Sequence, residues 1–226
     1  MPAGARQRPY TPAMSSSALF RTSLHPSRGP AGKRPLHPVA QAWIARFGDA
    51  LPAGHLCRES SLKERWLRIH SLPESKRYPE DRTELGEILR RQNAVATELL
   101  GEGAPCLLFV AGFSSGPEAV QWARKASWLK ALDGTPELVL TVEEDAERDQ
   151  MAFCALPVIW QRGRFDRLIA DRAHDRAGHL LFANFDRGGI YAPYDGGADL
   201  FYPSAEDVVP ARSRYRDWLS GYPTGL

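Results

Sequence analysis

Apolar residues recurring every four positions open the readable part of the chain. Val39, Trp43 and Phe47 make one stripe and Pro38 suits a first helical turn, so a helix is predicted over Pro38–Phe47. The period then falls to two. In residues 65–72 Leu67 and Ile69 share one face and Arg68 and His70 the other, the pattern of a half-buried strand closed by Pro73. Asp81-Arg82-Thr83-Glu84 has the form of a capping box ahead of a long helix to about Leu100. Leu85, Ile88, Leu89, Val95 and Leu99 mark its inner side, and Gly101 stops it. Residues 105–113 are a continuous apolar run of strand length. A polar loop, Ser114-Ser115-Gly116-Pro117, and a helix over about 118–132 are expected to follow.

The second half reads mostly as strands. Leu138–Val142 and Met151–Trp160 face each other across the acidic segment 143–149, and a helix is expected over 164–176. Short strands at His179–Phe185, Ile190–Ala192 and Asp199–Tyr202 form a meander. Asp186-Arg187-Gly188-Gly189 and Tyr194-Asp195-Gly196-Gly197 read as its turns, with glycines supplying positive φ. Residues Ser204 to Asp207 cap a last helix with Val208, Tyr215 and Leu219 inward. The sum predicts an α+β single domain: a mostly antiparallel or mixed sheet with helices packed on one face.

Composition divides the chain. Seven prolines in residues 1–38, the cluster Ser15-Ser16-Ser17 and few large apolar residues predict a disordered N-terminal arm over residues 1–36, followed by the domain over 37–226. The net charge of +2 conceals an asymmetry: residues 1–48 hold seven basic and no acidic side chains, which leaves 22 basic against 27 acidic in the rest. An acidic body argues against nucleic acid as its partner. The arm admits three readings: a leader ahead of a start at Met14, a basic tether for an anionic partner, or an organelle transit peptide.

The longest apolar run, Cys106 to Ala111, is too short for a bilayer, and Arg21 interrupts the only signal-like stretch, Ala18-Leu19-Phe20. No membrane association is expected. Cys57, Cys106 and Cys154 are odd in number and widely spaced, which fits buried thiols in a cytoplasmic protein rather than a disulfide framework.

The densest polar segment joins Arg65, Arg68, His70, Lys76 and Arg77, with Trp66 and Tyr78 near its ends. Arginine forks suit carboxylate or phosphate, so Arg68, His70, Lys76 and Arg77 are candidate contacts for an anionic ligand. The alternative is an outward face paired locally with Glu74, Glu80 and Asp81. Tyr194, Asp195 and Asp199 are candidates from the second glycine turn, with Asp195 as a base. Two carboxylates four apart make a poor hard-metal site, and His25, His37, His55, His70, His174 and His179 form no zinc spacing, so neither a metal nor a cofactor is expected. Gly112-Phe113-Ser114-Ser115-Gly116 lacks both nucleophile-elbow spacing and a Walker lysine. Trp122 and Trp128, six apart, fall on different faces of a shared helix, so one of them is expected to be exposed or at an interface, a hint of a partner surface.

The tract Trp66-Leu67-Arg68-Ile69-His70-Ser71-Leu72-Pro73-Glu74-Ser75-Lys76-Arg77-Tyr78 and the tract Ile190-Tyr191-Ala192-Pro193-Tyr194-Asp195-Gly196-Gly197-Ala198-Asp199, with the ending Trp218-Leu219-Ser220, resemble an uncharacterised family of bacterial proteins. The likeness spans about residues 60–220. It implies a bacterial cytoplasmic protein, and families of this profile include immunity and accessory proteins. The leading expectation is a non-enzymatic bacterial interaction protein, an immunity-like or regulatory binder with a protein partner. The second is an enzyme or small-ligand binder recognising an anionic substrate through Arg68, His70, Lys76 and Arg77. A nucleic-acid binder using the arm ranks third.

Overall fold

The computed structural model describes residues 36–114, 132, 134–143 and 150–220. In chain order the elements are α1 (Pro38–Phe47), α2 (Gly54–Arg58), β1 (Trp66–His70), α3 (Arg82–Leu100), β2 (Pro105–Ser114), β3 (Glu137–Glu143), β4 (Gln150–Ile159), α4 (Asp166–Ala173), β5 (His179–Asn184), β6 (Gly189–Tyr194), β7 (Gly197–Phe201) and α5 (Ala205–Arg214). The seven strands form one sheet in the order β1-β7-β6-β5-β2-β4-β3, with every neighbouring pair antiparallel. The α+β single domain expected from the sequence is what forms.

Period-two alternation divides the core between the faces of this sheet. Leu67, Ile69, Leu108, Val110, Leu180, Phe182, Tyr191 and Leu200 point one way and pack against α3, α4 and α5 through Val95, Leu99, Leu168, Ile169 and Val208. Phe109, Phe153, Leu181, Ile190 and Phe201 point the other way and meet Trp43 and Phe47 of α1 and Leu56 and Cys57 of α2. Helices therefore cover both faces, not one. The stripe on α1 shows which of its sides is buried; the side of the sheet it covers is set by tertiary packing. Trp43 is fixed there by donating its indole N–H to the Ala50 carbonyl (2.6 Å).

Local signals act as written at several ends. Asp81 caps α3 by accepting from the Glu84 amide (2.8 Å), but Glu84 accepts from the Glu80 amide (2.7 Å), so the box is not reciprocal. Ser204 and Asp207 make a full reciprocal box at α5. The helix expected over 164–176 is shorter, because Asp175 takes positive φ (55°) just beyond its end. The expected helix over 118–132 with Trp122 and Trp128, apart from Leu132 at its end, the acidic segment 144–149 and the arm over residues 1–35 lie outside the described residues.

Candidate functional site

Antiparallel pairing of β1 with β7 joins the two segments that the sequence singled out. Arg68 lies opposite Asp199 and His70 opposite Gly197, while β7 pairs back onto β6 so that Gly197 lies opposite Tyr194. Extending the β5–β6 register, Phe182 opposite Tyr191, sets His179 level with Tyr194, and His179 pairs in turn with Ala111 of β2. One end of one sheet face thus carries His70, Tyr194 and His179 in a row, with Arg68 and Asp199 a row behind.

Asp199 is buried at 4% exposure and accepts three hydrogen bonds: Trp66 Nε1 (2.8 Å) and, as a fork, Arg68 Nε (2.8 Å) and Nη2 (3.0 Å). The Arg68 guanidinium also lies over the Tyr194 ring, 4.7 Å from its centroid. Asp195, equally buried, accepts from Arg77 Nε and from the Tyr78 hydroxyl (3.0 Å). Burial pushes the Asp195 carboxyl up, but the bonds from Arg77 and Tyr78 outweigh it and hold it below its ordinary value. A backbone device delivers these partners. Glu74 and Ser75 both take positive φ (54° and 58°), which turns the chain after β1. Lys76 then reaches Glu84 (2.6 Å) and Glu80 (3.2 Å), and Arg77 and Tyr78 reach Asp195.

The glycines of this turn serve close approach. Asp195 and Gly196 form a two-residue turn between Tyr194 and Gly197, yet no residue from 194 to 197 has positive φ, contrary to the sequence-based expectation. A Cβ on Gly197 would instead collide with the Ile69 carbonyl oxygen across the β1–β7 ladder. Asp186–Gly188 makes the other turn with Gly188 at φ 76°. From the opposite face Gln92 of α3 braces the pairing, donating to Ser71 Oγ (2.7 Å) and the Gly197 carbonyl (2.8 Å) while accepting from the Tyr191 hydroxyl (2.7 Å).

Beyond Tyr194 the same face carries a cluster that the sequence left as loop and strand residues. α2 sets the His55 ring 5.2 Å from that of His179, and Phe113 stands 5.2 Å from His179 and 6.3 Å from His55, so the three rings form a triangle. A cavity of about 400 Å³ opens here, lined by Ala111, Phe113, Arg172, Asp175, Ala177, Gly178 and His179. Burial, with His55 and Arg172 nearby, lowers the His179 pKa to about 4; burial also lowers that of His55. Both imidazoles are neutral at pH 7. Arg172 donates through Nη1 to Asp175 (2.8 Å) and to the Ala177 carbonyl (3.1 Å). Its Nε, however, is buried with no acceptor, and Nε2 of His70 and the Tyr202 hydroxyl are buried with no hydrogen-bond partner. An unpaired buried polar group costs about 1–3 kcal/mol, so each needs a reason. The two halves of the site feel each other's charge weakly: Asp175 is the smallest influence on Arg77 and Tyr78, and Arg172 the smallest on Asp195.

Arg68, Lys76 and Arg77 are therefore each engaged by a carboxylate, and the partners of Arg68 and Arg77 lie more than a hundred positions away rather than in the adjacent Glu74, Glu80 and Asp81. Sequence reasoning passed over His55, Phe113, Arg172 and His179. The one available signal was the polar run 171–179 at a helix-to-strand junction. The thiols have no nucleophilic setting: burial raises Cys57 and pushes Cys106 up to about 12. Among the described residues no group of three His, Cys, Asp or Glu side chains could hold a metal ion, and no helix is long and apolar enough to cross a membrane.

A family model described as Domain of unknown function (DUF3885) matches residues 56–223, and the chain belongs to that family. The match covers both polar segments and the whole sheet except for α1 and the first turn of α2, which pack against it. No curated protein and no solved structure matches the chain.

Proposed function

We propose that this member of the DUF3885 family is a binding module, not a catalyst, and that it holds a small ligand in the cavity beside His179. The cavity carries this conclusion. Its volume of about 400 Å³ falls within the range of small-molecule sites, and it sets an apolar wall (Ala111, Phe113, Ala177) against a polar one (Arg172, Asp175, His179). The surrounding chemistry favours recognition over turnover. Asp195, the base expected from the sequence, binds its proton less tightly than an ordinary carboxylate, the wrong direction for a base working near neutrality. In this reading Arg68, His70, Lys76, Arg77, Tyr194, Asp195 and Asp199 hold the cavity wall in place. Three buried free thiols suit the reducing cytoplasm of a bacterium.

Amide ¹H–¹⁵N spectra of the intact chain, titrated with a panel of small acids, amines and neutral molecules, test the proposal. Shifts should cluster at residues 111–113 and 172–179. Shifts scattered over the surface, or chemical conversion of any probe, would contradict it.

A second reading, a binder of a protein partner, draws on the rim. Phe113 is 49% exposed and Tyr78 44%, and the Arg77 side chain is 64% exposed beside Tyr78. Aromatic and arginine side chains of this kind dominate protein contacts. Under that reading Tyr78→Ala and Phe113→Ala weaken capture of a purified partner and leave the fold intact.

A further inference from the structure

The cavity wall around Arg172 specifies what the ligand must offer. Nη1 of Arg172 is occupied by Asp175 and the Ala177 carbonyl, whereas Nε has no acceptor. The Nε and Nη2 edge of a guanidinium is the edge that two oxygens of one carboxylate can take together. His179 lines the same cavity, and His55 stands beside it; neither imidazole has a hydrogen-bond partner among the described residues. Each neutral ring has one N–H to donate.

Charge then selects among oxyanions. Arg172 is paired with Asp175, Arg77 with Asp195 and Arg68 with Asp199. Arg58 and Glu59 act on His55 in opposite senses, so with both imidazoles neutral these groups together leave no excess of positive charge for a dianion. A single negative charge can be balanced by releasing Asp175 from Arg172, since the Asp175 side chain is already 60% exposed and returns readily to water. Ala111, Phe113 and Ala177 leave room for an apolar body.

We propose that the cavity binds a small monocarboxylate with an apolar body, whose carboxylate accepts from the Nε edge of Arg172 and from an imidazole N–H of His179 or His55. This rests on the cavity being a ligand site. On binding, Arg172 turns its unpaired edge onto the ligand and Asp175 swings outward. The proposal also accounts for a buried arginine donor left without an acceptor.

The intact chain is titrated with hexanoate and benzoate, with their neutral amides hexanamide and benzamide, and with inorganic phosphate, while the amides of residues 111–113 and 172–179 are followed. The carboxylates should bind at least about tenfold more tightly than their amides, the scale of one charge-assisted hydrogen bond, and phosphate should bind more weakly than either carboxylate. Arg172→Gln should weaken hexanoate binding by about tenfold to a hundredfold. If that variant fails to fold, Ala177→Val decides, because it narrows the cavity without altering charge: loss of hexanoate binding by the folded variant supports the assignment, and full retention overturns it. Amides binding as tightly as carboxylates, phosphate binding as tightly as hexanoate, or undiminished binding by folded Arg172→Gln overturns the monocarboxylate and leaves the cavity as a ligand site. If no probe, charged or neutral, perturbs the cavity residues, the ligand site itself is refuted.

Discussion

Replacing Asp199 with alanine removes the acceptor of three hydrogen bonds at once and leaves Arg68 charged in a largely buried place. The Asp199 side chain is 6% exposed and that of Arg68 15%, so solvent screens the pair little. Breaking a buried ion pair from one side costs about 3–5 kcal/mol, and the orphaned Trp66 N–H adds about 1 kcal/mol. For a domain of this size each kcal/mol moves Tm by about 2–4 °C, so Asp199→Ala should lower Tm by about 8–24 °C. Urea denaturation should show the same loss as a lower midpoint at unchanged slope. The double variant Arg68→Met, Asp199→Leu removes both charges and should recover most of it, since an apolar pair of similar volume replaces a buried ion pair at little cost. If Asp199→Ala loses under about 1 kcal/mol, as an exposed pair would, then the Arg68–Asp199 fork does not join β1 to β7 as described.

Gly197→Ala should be severely destabilising, because its Cβ meets the backbone carbonyl of Ile69, whereas Gly86→Ala, with open space around it in α3, should stabilise by about 0.5–1 kcal/mol in the same denaturation assay. Glu87, held at about 2 first by the Arg90 bond and then by Arg91, contributes stability that is complete above its ordinary value and lost as pH falls through about 2. Glu87→Gln should therefore lower the urea midpoint at pH 7 and make no difference below pH 2. His179 should titrate by NMR near pH 4. Because its folded value is depressed, its contribution is complete above 6.5 and lost as pH falls toward 4, and His179→Phe should flatten that part of the stability profile. All three cysteines should resist iodoacetamide in the native protein and react after unfolding; modification of Cys57 or Cys106 at the native rate of a free thiol would contradict their burial.

Much of the fold is legible because local periodicity and caps are local facts. The stripe of α1, the alternation of β1, the apolar run of β2 and the Ser204–Asp207 box each need only neighbouring residues to be read. What escapes is set by distance. α2 has five residues and no period to detect, yet it brings His55 to His179. The pairing of Arg77 with Asp195 and of Arg68 with Asp199 depends on the sheet order β1-β7-β6, which no local pattern encodes. Counting charges near in sequence offered Glu74, Glu80 and Asp81 as partners, and of these only Glu80 proves to be one, for Lys76. The Gly196-Gly197 pair was legible as a turn but not for its reason, since close approach between strands is a tertiary property. Arg172 lay in a legible polar run, but its meaning lies in an unpaired atom that no sequence pattern marks.

The deciding experiment is a crystal structure of the intact chain with hexanoate. The carboxylate should lie about 3 Å from Arg172 Nε and an imidazole nitrogen, with Arg68–Asp199 and Arg77–Asp195 still closed. Hexanoate bound instead to Arg68 or Arg77, with Asp199 or Asp195 displaced, would contradict it and return the site to the cations that the sequence first singled out.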